Sequence, residues 1–340
     1  TNILLYGTLS PLLKKQILEK AAEKKINVMG VCTDPLIPPY TISPVSNYGS
    51  QDIPLMTGAV DLVVAGEHYV NPSLKDVAND WSVKVVPING LREITDLNGF
   101  TEEIMEKAQE ASDIRQDVPR DIPDNKESAV FGFSLKSIDI QKVLEALNNT
   151  TIKGIAIFAG SNNVKYTQDR ALITIVDEFL RNDILCISEG EASVGLSKYG
   201  FLNPKQEKDC GAGIKQLQSS LGDTVPAVID CNSTELLLAL AEAGNKPLKD
   251  YPIVAYFAEA NRSTEVVKAM AMVAMGVSTY FWPHLPVTGS PRTMKALMEF
   301  CHETFGAKMN VVTSKIEAPA KAELFLKTIA APPSMSGKEW

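Results

Sequence analysis

Histidine is scarce in this chain. Only His68, His284 and His302 occur in 340 residues, so chemistry that needs several imidazoles has few places to sit. The cysteines at 32, 186, 210, 231 and 301 are odd in number and form no C-x-x-C pair. That excludes a disulfide framework and a zinc ribbon, and it leads us to expect the reducing conditions of a cytoplasm. Positive charge is not in excess either: 33 Lys+Arg face 41 Asp+Glu, for a formal net charge of -8. Nucleic acid and anionic membrane surfaces both require a basic footprint and are not expected partners. No apolar run reaches the roughly 18 residues of a membrane span, and no signal peptide is expected. G-x-x-x-x-G-K-[ST], H-E-x-x-H and G-x-S-x-G are all missing, which removes the Walker-type phosphate loop, the zincin site and the hydrolase elbow. Gly211-Ala212-Gly213 is only a G-x-G. It lacks the third glycine and follows no strand, so it does not read as a dinucleotide site.

What is present is the composition of a folded chain, 45% hydrophobic and 22% charged, with length for about two domains. Short apolar runs alternate with amphipathic stretches. Ile3–Leu5, Val28–Val31, Leu62–Ala65 and Val83–Val86 read as strands. Ser10-Pro11 reads as N-cap and first turn of a helix whose face is Leu12, Leu13, Ile17, Leu18, Ala21 and Ala22, and a second helix is expected over Thr101–Ala111. Residues 113–128 are polar, carry two prolines and lack apolar period, so they read as a linker between domains at 1–112 and 129–330. After the linker, strands are expected at Ile155–Phe158, Ile184–Ile187, Ala227–Ile229, Ile253–Tyr256, Thr279–Trp282 and Asn310–Val312. Helices are expected at Ile138–Leu147, Arg170–Leu180, Glu235–Ala243, Glu265–Ala274, Arg292–Thr304 and near Ala320–Ile329, before a loose tail at 331–340. The rhythm predicts an α/β protein with two Rossmann-like, doubly wound parallel-sheet domains.

Open parallel sheets bind ligands beyond the carboxyl ends of their strands. Those positions hold Tyr6-Gly7-Thr8, Cys32-Thr33-Asp34, Gly66-Glu67-His68-Tyr69, Gly160-Ser161-Asn162-Asn163, Ser188-Glu189-Gly190-Glu191, Asp230-Cys231-Asn232 and Glu259-Ala260-Asn261-Arg262. Cys32 and Cys231 each end a strand in a different domain and, by the same rule, are expected to face one crevice. His68 also ends a strand. Cys186 and Cys301 fall within apolar segments and read as small core residues, Cys210 reads as an exposed loop residue, and His284, between two prolines, reads as a loop anchor.

At these strand ends the sequence resembles the catalytic subunit of the anaerobic nickel-iron carbon monoxide dehydrogenases and, more distantly, the hybrid cluster proteins. Asn2-Ile3-Leu4-Leu5-Tyr6-Gly7-Thr8 with Pro11-Leu12-Leu13 is similar to that family's I-N-h-h-h-H-G-H-x-P-h-L. Gly30-Val31-Cys32-Thr33 resembles G-I-C-C-T, and Thr57-Gly58-Ala59-Val60-Asp61 resembles T-G-A-h-D. Phe131-Gly132-Phe133-Ser134 is similar to A-G-F-S, Ala159-Gly160-Ser161-Asn162-Asn163 to h-G-C-N-N, and Gly190-Glu191-Ala192 to T-G-C-A/S. In the family these blocks carry the ligands of a nickel-iron-sulfur cluster between two Rossmann-like domains. Carried over, the ligand histidine becomes Thr8, and cysteines become Tyr69, Ser161 and Glu191, while Cys32 and Cys231 keep their thiols. The family's lysine that assists at carbon dioxide falls near Thr264.

The resemblance therefore implies a carbon monoxide dehydrogenase-like protein with a degenerate cluster site, a non-catalytic subunit or binding protein in anaerobic one-carbon metabolism. The family's helical, cysteine-rich domain is not expected in this chain. A rebuilt metal site for an oxidoreductase would draw on Cys32, His68, Glu191 and Cys231, holding a metal ion or a reduced iron-sulfur cluster. A third reading is a small-molecule binding protein whose crevice is lined by Thr8, Tyr69, Ser161, Asn162, Asn163, Asn232 and Arg262 with Glu191. A protein partner or a second copy of the chain is expected, and no nucleic acid or membrane.

Overall fold

The computed structural model describes residues 1–32, 36, 37, 39–88, 94–122, 124, 127–160, 166–258, 263–282 and 289–311. The expected helix at 320–329, the tail at 331–340 and His284 lie outside them. The chain divides into two compact units, Thr1–Lys126 and Glu127–Trp340.

In the first unit the order is β1 (Asn2–Tyr6), α1 (Pro11–Lys24), β2 (Asn27–Val31), β3 (Leu36–Ile37), β4 (Tyr40–Thr41) and β5 (Ser43–Ser46). There follow α2 (Ile53–Met56), β6 (Leu62–Ala65), α3 (Leu74–Asp80), β7 (Lys84–Pro87) and α4 (Leu97–Ile114). The main sheet runs β5-β2-β1-β6-β7, all parallel, and β3-β4 is a small antiparallel hairpin. β1 lies at its centre and buries both faces. Alternation sends Ile3 and Leu5 into one apolar cluster with Leu13, Ile17 and Ala21 of α1, and Leu4 and Tyr6 into another with Val31, Cys32 and Leu55. Pro11 opens α1 where the sequence places it, and Lys25 closes it in the left-handed conformation. Ser10 occupies the N-cap position without a side-chain capping bond.

The polar stretch that reads as a linker is held to this unit over much of its length. α4 runs through Ile114, and Arg115 beyond it is 2% exposed. Its guanidinium donates to Asp61 Oδ1 at 2.7 Å, to the Gly58 carbonyl at 3.1 Å and to the Trp81 carbonyl at 3.2 Å. The Asp121 N–H reaches the Thr57 carbonyl at 2.9 Å. A charged residue in a polar run gives no sign of burial in sequence. What makes it possible is a buried acceptor set 54 residues earlier in the chain.

The second unit contains α5 (Ile140–Asn148), β8 (Gly154–Gly160), α6 (Arg170–Arg181), β9 (Ile184–Ser188), α7 (Glu191–Ser197), α8 (Ala212–Leu221) and β10 (Val228–Asp230). It continues with α9 (Ser233–Gly244), β11 (Ile253–Ala258), α10 (Ser263–Ala274), β12 (Ser278–Trp282), α11 (Pro291–Phe305) and β13 (Met309–Val311). The sheet order β10-β9-β8-β11-β12-β13 is parallel throughout, the doubly wound 3-2-1-4-5-6 arrangement. α6 buries Leu172, Ile175, Val176, Phe179 and Leu180, each worth about 1.5–3 kcal/mol when fully withdrawn from water. α5, α9 and α11 are N-capped by the side chains of Asp139, Asn232 and Ser290. Cys186 and Cys301 are core residues, as expected. Cys210 is not exposed: it is buried in the same cluster as Cys186. The G-x-G glycines serve helix entry. Gly211 is the N-cap residue of α8, and Asp183 Oδ1 accepts the Gly213 N–H at 2.7 Å, so a carboxylate of the chain itself occupies that helix terminus.

Candidate functional site at the strand ends

The first sheet reverses its strand order between β1 and β6, and the second between β8 and β11, so each unit carries one switch point. At the first, the chain leaves β1 through Gly7 and Thr8 and leaves β6 through Gly66, Glu67 and His68. The two loops touch: the Thr8 N–H donates to the His68 carbonyl at 3.1 Å. The approach requires glycine on both sides. A Cβ on Gly7 would lie 2.2 Å from the His68 carbonyl oxygen, and one on Gly66 would lie 2.0 Å from that of Thr8.

This brings four of the nominated residues to one sheet edge. Thr8 and His68 are exposed, with the His68 ring edge-on to Tyr69 at 6.4 Å. Tyr69 is half-buried against the cluster that contains Tyr6 and Cys32. Cys32 and Tyr69 both hold left-handed backbone, with φ of 54° and 63°. Such conformations are costly for side chains with a Cβ and gather at sites where the surroundings fix an unusual direction. Beneath them lies Tyr6, fully buried. Burial, followed by the nearby Asp52 carboxylate and Cys32, holds its phenol far above the usual range.

In the second unit Glu191 opens α7 just after β9, 8% exposed, and Cys231 follows β10. Around them lies a polar network that sequence reasoning did not single out. Asp230 accepts the Gly132 N–H at 2.6 Å on Oδ2 and the Ser193 hydroxyl on Oδ1, and the Ser193 and Ser188 hydroxyl oxygens are 2.8 Å apart. Burial pushes Asp230 up to about 6, against the pull of the bonds from Ser193 and Gly132. Glu189 accepts the Ser233 hydroxyl at 2.7 Å and pairs with the Lys268 ammonium at 2.5 Å, tying β9 to α9 and α10. The only advance signal for these residues was their place at strand ends. Burial, then the carboxylates of Asp230, Glu189 and Glu235, push the Cys231 thiol up to about 12. Asn232 is engaged locally, its Oδ1 accepting the N–H groups of Thr234 and Glu235 to cap α9. Ser161, Asn162, Asn163 and Arg262 lie outside the described residues. Thr264, in the first turn of α10, is exposed.

Residues 4–315 match the model of the Prismane/CO dehydrogenase family. The chain belongs to this family. It is 27% identical to carbon monoxide dehydrogenase 2 of Carboxydothermus hydrogenoformans over 302 residues, covering 78% of this chain and 48% of the relative. It is 25% identical to the carbon monoxide dehydrogenase/acetyl-CoA synthase subunit beta of Moorella thermoacetica, covering 90% of this chain and 52% of the relative. The solved structure of carbon monoxide dehydrogenase IV from Carboxydothermus hydrogenoformans shares the fold, with a TM-score of 0.84 at 24% identity. That match covers 98% of this chain and 59% of the other. The chain thus spans about half the length of the relatives it matches. Among the described residues, no helix is long and apolar enough to cross a membrane.

Proposed function

We propose that this member of the Prismane/CO dehydrogenase family has a degenerate cluster site and acts as a non-catalytic subunit or binding protein in anaerobic one-carbon metabolism. The donor chemistry at the strand ends supports this reading. Positions that the family resemblance assigns to cluster ligands carry the Thr8 hydroxyl, the Tyr69 phenol and the Glu191 carboxylate, and the thiol that remains at Cys231 is held protonated. Thiolates bind iron and nickel strongly, whereas neutral hydroxyls bind them weakly. Among the described residues, no three or more His, Cys, Asp and Glu side chains gather in a group able to hold a metal ion. This donor set does not fit a nickel-iron-sulfur cluster of the kind the family resemblance implies. A relative named as a subunit of a carbon monoxide dehydrogenase/acetyl-CoA synthase supports a protein partner for this chain as well.

The test is carbon monoxide oxidation with an artificial electron acceptor, using protein reconstituted anaerobically with nickel, iron and sulfide. No turnover above background is expected. Turnover that disappears in Cys32→Ala contradicts the reading. One observation favours a rebuilt metal site instead, namely the buried carboxylate of Glu191 in the first turn of α7. Stoichiometric zinc or iron whose binding falls in both Cys32→Ala and Glu191→Gln decides for that second reading.

A further inference from the structure

Strand register sets one row of side chains across a single face of the second sheet. Ser188, Phe158, Tyr256, Tyr280 and Asn310 are partners in register on β9, β8, β11, β12 and β13, so all five project to the same side. Phe158 meets Phe179 of α6 with ring centroids 5.7 Å apart, so this is the face that α6 covers. Crossovers between parallel strands are right-handed. The chain steps one way across the sheet from β8 to β9 and the other way from β11 to β12 to β13, which puts α6 on this face and α10 and α11 on the opposite one. Here α6 packs on β9 and α7 on β8. Among the described residues, the helices that pack on β12 and β13 are α10 and α11, on the far side. Tyr280 and Asn310 are nevertheless each only 3% exposed on the near side. Asn310 Nδ2 is enclosed with no hydrogen-bond partner, as it would be beneath an apolar cover rather than beneath water or a polar loop.

Chain connectivity narrows what that cover is. In the second unit, the stretches outside the described residues are 161–165, 259–262, 283–288 and 312–340. The first three are short and tied at both ends by the elements they join. The last follows β13 directly and is the one long enough to return over the sheet. It is also the one with an apolar stripe: Ala322, Phe325, Leu326 and Ile329 recur at helical spacing, Lys321, Glu323, Lys327 and Thr328 lie between them, and Pro319 and Pro332 frame the stretch. Residues 312–319 alone can span about 25 Å, whereas neighbouring strands are about 5 Å apart. We propose that residues 320–329 dock through Ala322, Phe325, Leu326 and Ile329 onto the near face of β12 and β13, over Tyr280 and Asn310. This docking lies within the second unit and does not depend on the state of the cluster ligands.

The test is hydrogen exchange of the full chain, read by mass spectrometry at two protein concentrations. The variants are Phe325→Asp with Leu326→Asp on the apolar stripe, Lys327→Glu on the polar side, and Val267→Asp on α10, where Val267 is 67% exposed on the opposite face of the sheet. In the wild-type protein, 320–329 should exchange at least tenfold more slowly than a free peptide of that sequence, equally at both concentrations. Lys327→Glu and Val267→Asp should keep that protection. The double variant should lose it, and exchange in Ser278–Trp282 and Met309–Val311 should quicken. Wild-type exchange of 320–329 at the free-peptide rate, or protection that survives the double variant, overturns the inference. Protection lost in Val267→Asp overturns it in favour of docking on α10, and protection that falls on dilution overturns it in favour of a second copy of the chain.

Discussion

Replacing Arg115 by alanine should unfold much of the first unit's stability reserve. The guanidinium and the Asp61 carboxylate are 1% and 0% exposed, at 2.7 Å. Asp61 also accepts the Asn2 N–H at 2.8 Å, at the start of the central strand, and Arg115 satisfies the carbonyls of Gly58 and Trp81. Truncation removes the countercharge and leaves a buried carboxylate with two buried carbonyls short of donors. Breaking one partner of a buried ion pair costs about 3–5 kcal/mol, against a typical domain stability of about 5–15 kcal/mol. Urea denaturation followed by tryptophan fluorescence reads the change, since Trp81 lies at the pair. Arg120→Ala, exposed in the same segment, is the control and should change stability by less than about 0.5 kcal/mol. Arg115→Met with Asp61→Leu should recover most of the loss, because removing both charges removes the unpaired one. A loss below about 1 kcal/mol in Arg115→Ala would refute the argument that this pair anchors the segment.

Three further outcomes are expected. Asp230 holds its proton more tightly when folded, with its pKa raised from 3.8 to about 6. The native state therefore binds more protons across that window, and stability falls by on the order of 3 kcal/mol as pH rises from roughly 4 to 6 and beyond. Asp230→Asn should flatten that slope in denaturation curves taken across the range, and an unchanged slope counts against the assignment. Gly66→Ala forces a Cβ to within 2.0 Å of the Thr8 carbonyl oxygen and should cost about 1–3 kcal/mol or more, measured by thermal melting, while Gly289→Ala, with open space around its Cβ and no positive φ, should change the melting little. Cys210 and Cys231, with thiols pushed up to about 11 and about 12, should resist iodoacetamide at pH 8 in the folded protein and react after unfolding. Mass spectrometry showing rapid native labelling at either residue would contradict their burial.

Periodicity made most of the two sheets readable. Runs such as Ile3–Leu5 and Ile155–Phe158 are central strands because both of their faces are covered. Elements without that signature were missed for physical reasons. β5 is Ser43-Pro44-Val45-Ser46, an edge strand with no apolar run, and α7 is buried nearly all round, so it shows no amphipathic period. α8 begins at a G-x-G that resembles a loop, although Asp183 caps it. Cys210 misled for the opposite reason: its sequence neighbours are polar, but the segment folds back onto the core beside Cys186. At the candidate site, the strand-end rule located Thr8, Cys32, His68 and Tyr69 at one edge. It gave no warning that Asp52, remote from any strand end in sequence, would stand beside Tyr6. Nor could it distinguish Asn232 as a helix cap from Asn232 as a ligand group, because capping depends on the local backbone rather than on the residue type.

We propose that this chain retains the family's two Rossmann-like units without the ligands for its cluster. Elemental analysis of protein expressed and reconstituted under strict anaerobiosis, with nickel, iron and sulfide supplied in excess and then removed, tests it most directly. The expected result is no stoichiometric nickel and no change in bound iron between the wild-type protein and Cys32→Ala. Nickel and several irons per chain, lost together in Cys32→Ala and in Cys231→Ala, would contradict the account.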